Sequence, residues 1–186
     1  RFFSWCKERD ILELSPAEAI RPPCKEKIRD RVLTQDETKN IWVACKQIGY
    51  PWGPIFQLLL LTGARLREVS QASWNEVSIA DGTLVLPASR TKNKRSHQIQ
   101  LSDQAQSIIQ SLPRVEGQTL LFTTNGSTAV SGFSKVKKRL DVISGVSDWR
   151  FHDLRRSFAT HSTERLGISP VITDKILNHV TGQVRG

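Results

Sequence analysis

Three short segments carry side chains suited to one kind of chemistry: Thr62-Gly63-Ala64-Arg65-Leu66-Arg67-Glu68, then Phe151-His152-Asp153-Leu154-Arg155-Arg156, then Leu177-Asn178-His179. A guanidinium presents a planar fork of N–H donors that matches two phosphate oxygens at once, so Arg65 and Arg155 together can hold one phosphodiester. His152 precedes Arg155 by three residues, which puts both on one face if the segment is helical. Its imidazole can take or give a proton near neutral pH. The start of a helix also attracts anions through its free backbone N–H groups. Two arginines aimed at one phosphate stabilise the charge that accumulates in phosphoryl transfer, a task metal ions perform in many other sites. Taken singly, arginines near helix starts usually make surface salt bridges and a lone histidine usually packs. The ordered set is what carries weight.

These side chains need elements to position them. Thr34-x-x-Glu37 has the pattern of a capping box ahead of a helix that turns Ile41, Trp42 and Cys45 toward a core, with Gly49 at its end. Pro54 suits an early position in an apolar helix from Ile55 to Leu61 that stops at Thr62-Gly63, and Arg65 then opens another short helix. From Glu76 the pattern alternates: Val77 and Ile79, Asp81-Gly82, then Thr83 to Leu86, which predicts a β-hairpin. His97 to Leu101 predicts a third strand, joined by the polar connection Arg90 to Arg95. Helices are expected after Ser102 and Ser131, with the apolar segment Leu120 to Phe122 between them. The last two helices are predicted over about Asp153 to Leu166 and Pro170 to Leu177. At the other end, Phe2, Phe3, Cys6 and Ile11 form a stripe that predicts a terminal helix, followed by a linker at Ser15-Pro16 and Arg21-Pro22-Pro23.

The chain has 186 residues, enough for one ordinary domain or one domain with a fragment of a neighbour. Its 27 Lys and Arg against 18 Asp and Glu, with a sequence pI of about 9.9, favour a polyanionic partner, nucleic acid first, although charge alone also serves solubility. Cys6, Cys24 and Cys45 form no C-x-x-C pair, so neither a zinc site nor a disulfide framework is expected, and a reducing interior fits. The apolar run Leu58 to Leu61 is far too short to span a bilayer, and no signal-peptide pattern is present. A start at Arg1 with no Met anywhere, and an abrupt end at Gly186, point to a piece of a longer chain.

In their order along the chain, T-G-x-R-x-x-E, a lysine in the strand connection, H-x-x-R and L-x-H resemble the tyrosine recombinases, the phage-type integrases, from about Leu33 to the last residue. The resemblance implies an α+β fold, a mostly helical catalytic domain with a small antiparallel three-stranded sheet. It makes residues 1–26 the end of a core-binding domain with its linker, and residues 27–186 a catalytic domain truncated before its nucleophile. Arg65 and Arg155 match the two catalytic arginines, and Glu68 the acid that braces the pocket. His152 would act in proton transfer or contact the scissile phosphate, and His179 would hydrogen-bond that phosphate. Lys92 matches the lysine that protonates the leaving 5′ oxygen, with Lys94 as the alternative. Lys94, Arg95 and the helical face Lys135, Lys138, Arg139 suit phosphate contacts or simple solvation. Asn178 stands where many members carry Gly, and either residue tolerates the left-handed backbone that ends a helix.

The implied reaction is site-specific recombination or integration of a mobile element, by metal-independent transesterification through a 3′-phosphotyrosine, with no cofactor. Implied partners are double-stranded DNA attachment sites, a homotetramer of the full-length protein on DNA and accessory DNA-bending proteins, in the bacterial cytoplasm and without a membrane. In the family the nucleophilic tyrosine follows L-x-H within roughly ten residues, and this chain ends seven residues after His179. Its single tyrosine, Tyr50, matches nothing in the motif. The fragment is therefore expected to bind DNA without cleaving it. A non-catalytic DNA-binding module of the same fold and a type IB topoisomerase-like enzyme are the alternatives. His97 and His161 match no catalytic position: His97 is expected to be a strand residue of the small sheet and His161 to pack, while Trp42, Trp52, Trp74 and Trp149 are expected to be core or boundary residues rather than base-stacking platforms.

Overall fold

The computed structural model describes residues 2–20, 29–91 and 93–179. Arg21-Pro22-Pro23 of the expected linker, and Lys92, lie outside the described residues. The chain divides into two compact units, Arg1–Asp30 and Arg31–Gly186. In the first, helix α1 (Phe2–Glu8) stops short of the apolar stripe that reaches Ile11. Asp10 takes a left-handed φ of 53°, and the Ile11 amide folds back onto the Cys6 carbonyl at 2.9 Å, which closes the helix early.

The second unit is mostly helical with one small sheet. Arg31 opens it by donating to the Glu37 carboxylate and to the carbonyls of Val32 and Asp148. The hydrogen bond from Arg31, more than any other contact, holds the Glu37 carboxyl below its ordinary pKa. Glu37 and Thr34 form the expected capping box: the Glu37 amide donates to Thr34 Oγ1 at 3.2 Å and the Thr34 amide to Glu37 Oε2 at 2.9 Å. Helix α2 (Gln35–Ile48) buries Ile41, Ala44 and Cys45 before Gly49 ends it. Burial pushes the Cys45 thiol up to about 12, the state of an inert packing residue.

Helix α3 (Trp52–Thr62) is apolar nearly all round and forms the centre of the core, with Ile55, Phe56, Leu58 and Leu59 buried. It packs against α2, the short α4 (Leu66–Ser70), α5 (Asp103–Gln110) and α7 (Phe151–Glu164). The remaining helices are α6 (Phe133–Ser144), packed on α2, and α8 (Pro170–Ile176), packed on α7. Strands β1 (Val77–Ser78), β2 (Thr83–Leu86) and β3 (His97–Gln100) make an antiparallel sheet in the order β1-β2-β3. Leu84 faces Val77 on one side and Ile99 on the other, and Leu86 pairs with His97. Asp81-Gly82 are the last two residues of a four-residue connection (79–82) rather than a two-residue turn, with Ser78 Oγ bonded to Asp81 Oδ2 at 2.6 Å. The fold class is thus α+β, mostly helical with a small antiparallel three-stranded sheet. No helix among the described residues is long and apolar enough to cross a membrane.

Two local devices position the site. Aromatic packing sets the start of α7: Phe151 stacks on Phe56 with ring centroids 5.0 Å apart and meets Trp149 edge-on at 5.8 Å, pairs worth roughly 0.5–1.5 kcal/mol each. The other device is the break between α3 and α4. Thr62 Oγ1 donates to the Leu58 carbonyl at 2.7 Å and accepts from the Ala64 amide at 3.2 Å, while Gly63 caps α3 with a left-handed φ of 62°. A Cβ at Gly63 would lie 2.6 Å from Phe158 Cδ1 and 2.7 Å from Leu177 Cδ2. Gly63→Ala therefore combines a disfavoured backbone with overpacking. It should lower unfolding stability in urea by at least about 2 kcal/mol, whereas Gly145→Ala, also left-handed but with open space around it, should cost less.

Candidate active site

Arg65 sits at the start of α4 with extended backbone. Glu68, 3 % exposed, serves it twice: Oε2 accepts from the Arg65 amide at 2.8 Å and Oε1 from its Nη1 at 2.7 Å. The same carboxylate closes the helix start and orients the guanidinium. Arg65 then lines a cleft of about 340 Å³ together with Ala64, Leu66, Arg67, Phe151, His152 and Arg155.

Arg155 is 4 % exposed. Its Nη1 donates to the Gly63 carbonyl at 2.8 Å and its Nη2 to the Leu177 carbonyl, so one side chain joins the ends of α3 and α8. The buried Nε has no hydrogen-bond partner among the described residues. Burial, and next the charge of Arg65, pull the Arg155 pKa down to about 10, against the opposing pull of Glu68 and Asp174. It stays charged at neutral pH. His152 lies at the mouth of the cleft, where loss of hydration and then the charges of Arg155, Arg156 and Arg65 lower its pKa, with Asp153 opposing. Its neutral imidazole is thereby favoured, the form able to accept a proton.

Arg65, Glu68, His152 and Arg155 are thus brought together. His179 is exposed and does not line the cleft; its Nδ1 lies 2.8 Å from Asp174 Oδ1 and its amide bonds the Asp174 carbonyl at 2.8 Å. It is tied to the site along the chain, two residues beyond the carbonyl that Arg155 holds. Lys92 lies outside the described residues. Lys94 and Arg95 are exposed in the β2–β3 connection, and Lys135, Lys138 and Arg139 are exposed on α6, none of them lining the cleft. Among the described residues no group of three or more His, Cys, Asp or Glu side chains is placed to hold a metal ion. Tyr50 is structural: its hydroxyl engages the carbonyls of Leu121 and Thr123, each at 3.1 Å, and accepts from the Thr123 amide at 3.2 Å.

His161 packs as expected, bonding the Leu33 carbonyl through Nε2 at 2.8 Å. His97 does more than pack. It sits in the field of Glu68, Arg155 and Arg65, and burial is the first cause of its lowered pKa. Arg90 was also not singled out from the sequence. It bonds Glu76 and caps α4 through the carbonyls of Arg67 at 3.2 Å and Glu68 at 3.0 Å. A histidine in a strand beside a basic connection was the available signal for His97; for Arg90 there was none, because its partners are a carboxylate on the far side of the β1–β2 hairpin and backbone carbonyls over twenty residues away.

Both His97 and His152 have folded pKa values below the ordinary 6.5. The unfolded chain therefore binds more protons in the window just below pH 6.5, and stability present above it is lost as pH falls through the lowered values. Thermal melts between pH 7.5 and 5.5 should show this loss, and the His97→Gln, His152→Gln double variant should show less of it.

The phage integrase family model matches residues 31–184. The shufflon-specific DNA recombinase of Escherichia coli is 28% identical over 142 residues, covering 76% of this chain and 35% of that protein. Prophage integrase IntZ of Escherichia coli strain K12 is 30% identical over 131 residues, covering 70% and 33%. The chain thus spans about a third of the length of the curated relatives it matches. Lambda integrase, solved as a dimer bound to a COC′ core site, superposes with a TM-score of 0.70 at 20% identity, covering 96% of this chain and 68% of that one; solved as a tetramer bound to a Holliday junction, it gives a TM-score of 0.69. The motif order, the fold and a family match over residues 31–184 agree: the chain belongs to the phage integrase family, the tyrosine recombinases.

Proposed function

We propose that this chain is the catalytic part of a site-specific recombinase that integrates or rearranges a mobile element by transesterification at a DNA phosphodiester. The observation that carries the reading is the unpartnered Nε of Arg155, buried beside the cleft that Arg155 shares with Arg65 and His152. A buried donor left unpaired costs about 1–3 kcal/mol, and an anion in the cleft would remove that cost. In this reading Arg65 and Arg155 take the non-bridging oxygens, and His152, favoured neutral, stands ready to accept the nucleophile's proton. A tyrosine from outside residues 1–186 attacks phosphorus. Its oxygen–phosphorus bond forms as the bond to the 5′ oxygen breaks, and Lys92 delivers the proton that the leaving oxygen needs. The phosphotyrosine conserves the broken bond, so the reverse step rejoins the strand without an external energy source. The paired guanidinium charges do the work a metal would otherwise do.

The partners follow from the same reading: duplex DNA sites in the bacterial cytoplasm, four protomers at the strand-exchange stage, and accessory DNA-bending proteins. The recombinase and integrase names of the relatives, and a fold neighbour solved as a tetramer on a Holliday junction, support it. His179 would approach the phosphate when DNA is bound. Lys94, Arg95, Lys135, Lys138 and Arg139, all exposed, would hold the duplex backbone.

The test is strand cleavage of a nicked attachment-site substrate by the protein read through the codons after Gly186. Arg155→Ala is a poor probe, because it strips the Gly63 and Leu177 carbonyls of their partner. Arg65→Lys keeps a charge but loses the fork, and His152→Gln keeps a polar side chain but not its proton chemistry. Each should lower the cleavage rate about 10²-fold or more with the melting temperature little changed. DNA binding without any cleavage by the unaltered protein would favour the binding-module alternative. Lys135→Ala, Lys138→Ala and Arg139→Ala combined should reduce the salt dependence of DNA binding by about one unit of log–log slope per cation in contact; an unchanged slope would remove α6 from the DNA interface.

A further inference from the structure

Two consecutive residues at the end of α8 are gripped by side chains from elsewhere: the carbonyl of Leu177 by Arg155, and the side chain of Asn178 by Asn93. The last contact is reciprocal, with Asn93 Nδ2 donating to Asn178 Oδ1 at 2.6 Å and Asn178 Nδ2 donating to Asn93 Oδ1 at 3.4 Å across 85 residues of chain. Asn178 has a left-handed φ of 52°, its amide bonds the Lys175 carbonyl at 3.0 Å, and His179 follows directly. Asn93 stands between Lys92 and Lys94.

We infer that Asn93 and Asn178 are positioning residues: their paired amides lock the basic β2–β3 connection, which carries the proposed proton donor in its sequence, onto the end of α8, the segment that runs into His179. This rests on the recombinase reading above. Among the described residues, Arg90 ties the start of the connection to Glu76 and to α4, and the bonds further along it are local. Thr91 Oγ1 bonds the carbonyls of Ala88 and Arg95 at 3.1 and 2.7 Å, Ser96 Oγ bonds the Leu86 carbonyl at 3.2 Å, and Asn93 Oδ1 also accepts from the Arg95 amide at 3.3 Å. These local bonds shape the loop, and the Asn93–Asn178 pair fixes its middle to the end of α8. Two side-chain amides facing each other have no net charge, so the lock resists salt while the exposed Lys94 beside it can meet DNA. Both positions matter for the same atom: as the 5′ oxygen leaves phosphorus it must receive a proton from an ammonium at hydrogen-bond range.

Asn178→Gly is the decisive variant, because glycine keeps the left-handed backbone and removes only the amide. Hydrogen exchange at the Lys94 and Arg95 amides, 83 or more residues from the change, should speed up about tenfold. Asn93→Ala should do the same at the Lys94 amide, which bonds the Thr91 carbonyl rather than Asn93, and the double variant should add nothing further there, the mark of a shared interaction. In the full reading frame, Asn178→Gly should slow cleavage of ordinary DNA at least tenfold yet cleave DNA with a bridging sulfur at the 5′ position at close to the unaltered rate. A thiolate leaves without protonation, so a defect confined to proton delivery disappears on that substrate, while a general structural defect slows both. Equal exchange in Asn178→Gly and the unaltered chain, or equal slowing on both substrates, overturns the inference. Failure of the unaltered protein to cleave either substrate overturns the recombinase reading, and the positioning role with it.

Discussion

The buried guanidinium of Arg155 is the interaction on which this site is built. A cation 4 % exposed loses most of its hydration, and no carboxylate takes the place of that water: its bonded partners are the backbone carbonyls of Gly63 and Leu177. Both belong to helix ends. Gly63 caps α3 and Leu177 caps α8, and the C-terminus of a helix carries a partial negative charge on its unpaired carbonyls. Two helices therefore end on one cation, and each satisfies a group that would otherwise be orphaned. The arrangement tolerates the buried charge while leaving its edge without an anionic partner, which a direct salt bridge to an aspartate would have consumed.

Much of the surrounding structure follows from that choice. Gly63 must be glycine, because the backbone that turns its carbonyl to Arg155 is left-handed and because Phe158 and Leu177 occupy the space of a side chain. α7 must start in a fixed place, which the stacking of Phe151 on Phe56 provides. Its first turn is held by Asp153, 1 % exposed, which accepts from the Arg150 amide at 2.9 Å and from Arg156 at 2.7 Å. Ser157 on the same helix accepts from the Leu33 amide at 2.7 Å, so the chain entering α2 is pinned to the helix that carries Arg155.

What the sequence revealed and what it hid divide along a physical line. The helix limits at Gly49 and Gly63, the capping box at Thr34 and the three strands were legible because they rest on neighbours within a few residues, where spacing encodes geometry. The grouping of Arg65, Glu68, His152 and Arg155 was legible only through the family pattern, since nothing local says that residues ninety positions apart will meet. The rest was hidden for the same reason. Arg90 on α4 and Asn93 on Asn178 both join distant segments, the first through backbone atoms that every residue possesses. The length of α1 was misjudged because an apolar stripe cannot reveal that Asp10 adopts a left-handed φ.

The cleft is electrostatically frustrated. Arg65 and Arg155 share it and repel, and the charge of Arg65 is one of the causes that pull Arg155 down to about 10. Arg155, Arg156 and Arg65 also oppose protonation of His152. Glu68 relieves only part of this, because one carboxylate, already bonded to the Arg65 amide and Nη1, cannot neutralise two guanidinium groups. In the proposed reading, a bound phosphodiester would bring the missing negative charge and screen the repulsion between the arginines. The His152 imidazole would then become more basic, since a nearby anion favours its charged form, and phosphate binding and proton affinity would be linked. A site assembled from opposing charges would already be satisfied without its ligand. One assembled from like charges, held together by helix ends and a buried acid, is completed by an anion.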